Sequence, residues 1–503
     1  MNYFVSENIF TFNSGTEHGQ AKRTKLFNEH GQGAIYVTRN YNRFLHRDVA
    51  AVDLDMSQVL NMYDYFQGVT NVTQKEQALR LLDQIPLAEY HIVGHGPNYS
   101  TINHAGREMA KITVMPATVG LVNEIIYYDA AGNTTVRENF DWRGFKSSVD
   151  YFNPDGSLAV QQFLNLAGTP VLEIIHMDVN GTRYPTMWKL LNFQERNIRF
   201  DSQDALFTFF LSDLANQNPG SNFISDRRSL DRVVADIAGT TNKYAYLHDI
   251  HTPDVAHPQR GKLYDAYRVV LEERAMDFKA IFTPTAEQAR DLKLRFPKAT
   301  FKAAPDTYVD NAILAQPVTG LTERVRHRIA YVGRLSPEKR PEDAIKVLAK
   351  VRTVVPDATL ELIGYAANTE IRSNLDRLAQ ELGVTDQVIF TAYGDYGRVN
   401  AVLNTAQVLV QTSLGEGFGM NLVEAFAHGV PVVTYDINYG AKKLVTDGSD
   451  GYVVPSGSVN QMAQRVIALF NDEAMWLAAS TAAYTKARQY NGDAMYTAWQ
   501  AVL

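Results

Sequence analysis

The stretch TSLGEGFGMNLVEAFAHGVPVVTYD, residues 412–436, decides how the chain reads. A strand-like run ends at Thr412 and Ser413. Three alternating glycines follow, Gly415, Gly417 and Gly419, then a helix-forming run from Asn421 to His428, then the apolar run VPVVTYD. Glycine lets a backbone come close to a ligand, and free amides at a helix N-terminus make a ready anion site. Glu416 sits in the loop and Glu424 eight positions later on the helix. A loop carboxylate there can reach a sugar, and Glu424, one to two turns in, can accept from a pair of hydroxyls. The plain alternative is a solvated loop residue and a surface helix residue. Two carboxylates beside a site built for anions are poorly explained as core packing.

The surrounding residues 326–480 repeat this strand–helix alternation. RIAYVGR, TLELIGY, QVIFTAY, AQVLVQTS and VPVVTYD are apolar strand candidates with helical runs between them. Near-continuous apolar strands separated by helices imply a parallel, doubly wound sheet, with ligands at the carboxyl ends of its strands. GRLSPEKRPEDAIKVL (333–348) gives a second strand-to-helix junction. Gly333 allows close approach, and Arg334 and Lys339 are placed for a phosphate; a solvated basic loop would look the same. The GxxxxGK[ST] phosphate loop is absent, which argues against a nucleoside-triphosphate hydrolase of that kind.

Upstream, NYFVSE, the helix-like SGTEHGQAKRTKLFNEHG and AIYVTR open an α/β unit. A helix is expected near Gln74–Gln84. Beyond it, YYDAAGNTTVRENFDW, YFNPDGSLAVQQFLN and IIHMDVNGTRYP carry turn signals between β-branched and aromatic runs, the pattern of an antiparallel meander. The α/β texture returns after residue 196, and AILAQPVTGLTERVRHR reads as a linker. The expected organisation is therefore 1–70 with 196–325 as an N-terminal Rossmann-like domain, with 71–195 as a β-rich insertion in it. Residues 326–480 form a C-terminal Rossmann-like domain, and a helical 481–503 crosses back to the first domain.

Composition excludes several classes. The 503 residues are 45% hydrophobic, 20% charged and 11% aromatic, which is globular and not disordered. The net charge of −7 disfavours nucleic-acid binding over the whole surface. With no cysteine, disulfides, thiolate nucleophiles and thiolate-bound zinc are impossible. No basic leader with an apolar core opens the sequence and no run of ~18 apolar residues could span a bilayer. The expectation is a cytoplasmic protein, at most peripheral at the inner face of the membrane.

GRLSPEKR, LIGYA and EGFGMNLVEAFAHGVPVV together resemble the retaining GT-B glycosyltransferases of sequence family four, which includes sucrose and glycogen synthases. The spacing of Glu416 and Glu424, the Arg334/Lys339 pattern and DGSDGYVVP (447–455) all match that family's signature. DINYG (436–440), the long β-rich insert and SGTEHGQAKRTKLF look like its teichoic-acid group, whose members put α-glucose or α-N-acetylglucosamine on poly(glycerol phosphate) or poly(ribitol phosphate). Enzymes of similar layout glycosylate serine-rich adhesins. The resemblance implies two Rossmann-like doubly wound domains facing a cleft and a UDP-sugar donor. Arg334 and Lys339 would hold the diphosphate, Glu416 the transferred hexose and Glu424 the ribose. Gly15 would face the diphosphate across the cleft, and Gly333 would also bind the donor. Gly417, Phe418, Gly419, Met420 and Asn421 would meet sugar hydroxyls or phosphate. His248 would contact the sugar, with His251 of the same HDIH run as the runner-up. Tyr393 would lie near uracil, although Ala392 stands where many relatives carry glycine. A catalytically silent partner subunit is a further alternative, against which the complete donor set argues.

The resemblance implies no cofactor and no required metal ion. Asp53-Leu54-Asp55 has the spelling of a metal motif from another fold, but Asp55 reads as a helix cap. In the insert, Tyr127, Tyr128, Arg137, Trp142, Arg143 and Lys146 suggest either an exposed track for an anionic acceptor or the interface of a homo-oligomer.

Overall fold

The computed structural model describes residues 1–72, 89–394 and 396–503, so the expected Gln74–Gln84 helix lies outside the described residues. The chain forms two compact units. One comprises Met1–Thr11, Ile35–Ser221 and Asp236–Thr241; the other comprises Phe12–Ala34, Asn222–Ala235 and Asn242–Leu503. This division differs from the grouping of 1–70 with 196–325. The glycine-loop helix Gly15–Glu29 and the strands after residue 221 belong with the C-terminal half.

In the first unit the strands Asn2–Ser6, Ala34–Thr38 and Val59–Asn61 lie side by side. Ten further strands, from His91–Gly94 to Arg196–Phe200, form an antiparallel sheet in which each pairs with its sequence neighbour. The insertion therefore ends at residue 200 and not 195, because Arg196–Phe200 completes the meander against Trp188–Phe193. Four of its turns share one design. The amides of Asp129, Asp141, Asn153 and Asn165 donate to the carbonyl four residues on. Gly132, Gly144, Gly156 and Gly168 supply the positive φ. Each repeat thus carries one seven-residue strand and one turn. One sheet face is buried through Leu172, Ile174, Trp188 and Leu190, and Phe193 packs on Phe66 and Phe209.

The cations that the sequence offered as an exposed acceptor track are compensated. Arg143 is 1% exposed and meets Asp141 at 2.6 Å and Asp64 at 3.0 Å. Arg137 pairs with Asp150 at 2.8 Å and Lys146 with Glu138 at 2.7 Å. Tyr127, Tyr128 and Trp142 are half-buried. Sequence shows the cations but not which carboxylates the meander brings opposite them.

The second unit holds two parallel sheets. Asn222–Ser225, Asn242–Tyr246, Ala280–Thr283 and Phe301–Ala303 lie in sequence order. The other sheet runs Val388–Thr391, Thr359–Ile363, Arg328–Val332, Val408–Gln411, Val432–Tyr435, Gly451–Val454. Its order turns back between Arg328–Val332 and Val408–Gln411, and a crevice opens at such a switch point. The sixth strand, Gly451–Val454, was not expected from the sequence. Gly451 is required there, since a Cβ would lie 2.1 Å from the Val432 carbonyl oxygen. The helix Glu473–Ala487 stays with this sheet, where Trp476 donates to the Gln407 carbonyl at 2.8 Å. The helix Gly492–Gln500 crosses to the strands Asn242–Tyr246 and Ala280–Thr283, so the crossing starts later than residue 481; its Trp499 packs on Tyr246 and Phe282.

Arg143→Ala leaves Asp64 and Asp141 buried without a counter-charge, where burial already pushes Asp64 up to about 6. Urea unfolding should show a loss of about 3–5 kcal/mol. Wild-type stability in that variant would mean the buried ion cluster is not formed.

Candidate active site

The ends of the neighbouring strands Arg328–Val332 and Thr359–Ile363 meet backbone to backbone. A Cβ on Gly364 would lie 2.0 Å from the Gly333 carbonyl oxygen, so the turn after each strand needs its glycine. The loop beyond Gly333 is pinned from below. The Tyr331 hydroxyl donates to the Arg334 carbonyl at 3.2 Å, and the Thr412 hydroxyl is shared between the Lys339 and Arg340 carbonyls at 2.9 and 2.8 Å. Lys339 Nζ then meets Glu416 Oε2 at 2.7 Å. Burial works against the Lys339 charge, but Glu416 and Asp249 outweigh it and hold the ammonium above its usual range. Arg334 is the more exposed of the two cations, at 42%, with Glu338 at 2.6 Å and Ser336 at 3.3 Å.

The glycine loop is seated by contacts that tolerate no side chain. A Cβ on Gly417 would lie 2.2 Å from the His248 carbonyl oxygen, and one on Gly440 would lie 1.6 Å from that of Phe418. Backbone bonds of Glu416 to Asn438 and Tyr439 hold the loop on the DINYG segment. Gly419, at φ +95°, starts the helix Met420–Ala427. Asn421 donates to the Val332 carbonyl at 2.9 Å and so fixes that helix to the neighbouring strand. Glu424 lines the cavity with no hydrogen-bond partner among the described residues. Burial pushes its carboxyl up, and Lys22 opposes the shift.

The opposite wall comes from the ends of the strands Asn222–Ser225, Asn242–Tyr246 and Phe301–Ala303 and from the helix Gly15–Glu29. Gly15 lies against Met420, whose sulfur would be 3.5 Å from a Cβ there. The Tyr393 hydroxyl accepts from the Asn13 amide at 3.0 Å and meets His18 Nε2 at the same distance. Its ring is edge-on to Phe12 and to Tyr365, each 5.5 Å away. Glu17 pairs with Arg227, and Arg228 with Asp231 at 3.3 Å. His248 Nε2 faces Asp226 at 2.8 Å and Nδ1 faces Asp306 at 2.9 Å.

One cavity of about 440 Å³ collects these groups. Gly15, His248, Gly333, Arg334, Lys339, Tyr393, Glu416, Phe418, Gly419, Met420, Asn421 and Glu424 all line it. Gly417 is not on the wall; it backs onto His248. His251 is away from it too, fully buried, with Nε2 2.9 Å from the Pro258 carbonyl oxygen; burial pulls it down to about 4. The sequence reading missed His18, Asp226, Arg227, Arg228 and Asp306. The signal available was position: Asp226–Arg228 directly follow the strand Asn222–Ser225, where such sheets bind ligands. Asp55 caps a short turn through the Ser57 amide at 2.8 Å, and among the described residues no three His, Asp or Glu side chains are grouped to hold a metal ion.

The site can bind an anion between Arg334 and Lys339 and hydroxyls at Glu424 and Glu416. Gly417→Ala should lower stability by about 1–3 kcal/mol in urea unfolding, as overpacking against a backbone atom does; no change would mean the loop does not touch His248.

Residues 323–489 match the family model described as glycosyl transferases group 1. Over 97% of its length the chain is 24% identical to the poly(glycerol-phosphate) alpha-glucosyltransferase of Bacillus subtilis, 72% of which is covered. The crystal structure of the pneumococcal O-GlcNAc transferase GtfA with UDP and GlcNAc superposes with a TM-score of 0.83 at 20% identity, over 99% of this chain and 97% of that one. A mutant of S. aureus TarM, in complex with Fondaparinux, alpha-GlcNAc-glycerol and UDP, gives 0.82 at 17% identity over 99% of each chain. The fold is thus GT-B with an antiparallel β-rich insertion, and its residues 323–489 are a glycosyl transferases group 1 domain.

Proposed function

We propose that the chain is a UDP-sugar-dependent retaining hexosyltransferase that moves glucose or N-acetylglucosamine, α-linked, to a hydroxyl of poly(glycerol phosphate) or poly(ribitol phosphate). The observation that carries this reading is the joint placement in one cavity, opposite Gly15, of Arg334, Lys339, Glu416 and Glu424, the last with no hydrogen-bond partner among the described residues. The likeness to the poly(glycerol-phosphate) alpha-glucosyltransferase supports the acceptor.

In this reading Glu424 accepts from the ribose hydroxyls, and Arg334 and Lys339 take the diphosphate. As the bond from phosphate to sugar breaks, negative charge grows on the diphosphate where those two cations already stand. The acceptor attacks the same face that the diphosphate leaves, and its proton passes to the departing phosphate oxygen. No protein base is needed, and Glu416 serves to position the hexose. No metal ion is needed to balance the charge, so a chelator should leave the rate unchanged. The insertion supports an interface between copies, since Met177, Val179 and Tyr184 are exposed at one hairpin tip.

A second reading places the sugar on serine or threonine of a serine-rich adhesin. The likeness to GtfA favours it, as does the pairing of Arg137, Arg143 and Lys146 with carboxylates, which removes three cations from a polyanion path.

UDP release from UDP-glucose and UDP-N-acetylglucosamine, with each polyol phosphate and a serine-rich peptide as acceptor, separates the readings. Release that rises only with a polyol phosphate supports the first, and release that rises only with the peptide supports the second. No release with any pair overturns both and points to a silent partner subunit. Lys339→Ala should lower kcat about 10²–10³-fold.

A further inference from the structure

His248 has no free ring nitrogen. Nδ1 lies 2.9 and 3.1 Å from the two oxygens of Asp306, and Nε2 lies 2.8 Å from Asp226. An ionised carboxylate only accepts hydrogen bonds, and a neutral imidazole has a single N–H to give. A neutral ring would turn a lone pair toward one of the two carboxylates. Both contacts are satisfied together only when both nitrogens carry protons.

The carboxylates are themselves held. Asp226 is fully buried and pairs with the Arg23 guanidinium, which is 1% exposed. That guanidinium packs against two neighbouring rings, 4.6 Å from the Trp499 centroid and 5.1 Å from that of Tyr246. The same Trp499 donates its indole N–H to the Pro305 carbonyl at 3.0 Å, one residue before Asp306. A single residue of the C-terminal helix Gly492–Gln500 therefore braces both arms of the clamp. We propose that Asp226 and Asp306 are positioning residues that hold His248 as a fixed imidazolium at the cavity wall, and that Trp499 keeps them in place through Arg23 and Pro305.

Its consequence for catalysis rests on the transferase reading; the protonation state does not. A clamped imidazolium cannot accept the proton of an attacking hydroxyl. Turning it to give an N–H to a sugar would strand a buried carboxylate, which is costly. His248 then contributes a standing positive charge, while its carbonyl meets the backbone at Gly417. The charges around it are Asp226 and Asp306 on the ring, Arg23 and Asp231 behind Asp226, and Glu416 with Lys339 on the facing loops. Tyr246 lies edge-on at 4.6 Å. Burial works against the charge, and the two carboxylates outweigh it, so His248 titrates above a free imidazole. With both carboxylates ionised, the clamp is complete below the His248 titration and is lost as pH rises through it.

The test is nitrogen-15 NMR of histidine-labelled full-length protein, with the His248 signal assigned through His248→Gln. Two protonated ring nitrogens at neutral pH are expected in the wild type. Asp306→Asn should lower the titration midpoint by about one unit, tenfold in proton affinity, with Asp306→Glu recovering part of it. Trp499→Phe, which keeps a ring but loses the indole N–H, should shift it the same way by less. In the transfer assay the alkaline limb of kcat should move with the NMR midpoint, whereas loss of support alone would lower kcat without moving the limb. A singly protonated wild-type ring at neutral pH overturns the proposal even if no variant folds, as does an unchanged midpoint in a folded Asp306→Asn. A clamp seen by NMR in a protein that transfers no sugar sinks the transferase reading and leaves the clamp standing.

Discussion

The Lys339–Glu416 ion pair ties together the two loops on which the cavity depends. Lys339 follows the strand Arg328–Val332, Glu416 follows Val408–Gln411, and these strands flank the point where the sheet order reverses. A desolvated ammonium needs a partner, and the partner at 2.7 Å comes from the facing loop. The carboxylate keeps the cation charged, as electrostatic stabilisation of an anion requires. Gly417, with its backbone against the His248 carbonyl, sets where the Glu416 loop lies.

The same economy of buried charge runs through the rest of the chain. Arg23 lies between Asp226 and two aromatic rings, and Arg143 between Asp64 and Asp141. Each is a cation whose removal exposes carboxylates to an apolar interior. The cavity differs in one respect: Glu424 lacks a hydrogen-bond partner among the described residues, and Arg334 keeps access to solvent. Those are the groups left over for a ligand, an anion at one end and a hydroxyl pair at the other.

Much of this was legible in the sequence, and the remainder has a physical reason for being hidden. The six-stranded sheet announced itself through apolar runs at regular spacing, and Glu416, Glu424, Arg334 and Lys339 through short motifs at strand ends. Gly451–Val454 escaped because a strand opened by glycine carries little β signal. Asp226 and Asp306 escaped for another reason: they are single acids 80 positions apart that only the parallel strand order brings to the same ring. Trp499 sits at the far end of the chain from Arg23, and no local pattern links them. Arg137, Arg143 and Lys146 misled, because charge in a sequence says nothing about the carboxylate on the next strand. The turns at Asp129–Gly132 and Asn153–Gly156 were visible one by one, and the backbone bond they share with those at Asp141–Gly144 and Asn165–Gly168 became visible only in the folded meander.

A crystal structure of the protein with UDP tests the central claim most directly. The account predicts the diphosphate between Arg334 and Lys339, the ribose hydroxyls on Glu424, and Lys339 turned from Glu416 toward the phosphate. A nucleotide bound elsewhere, or one in the cavity that leaves Arg334 and Lys339 untouched, would contradict it.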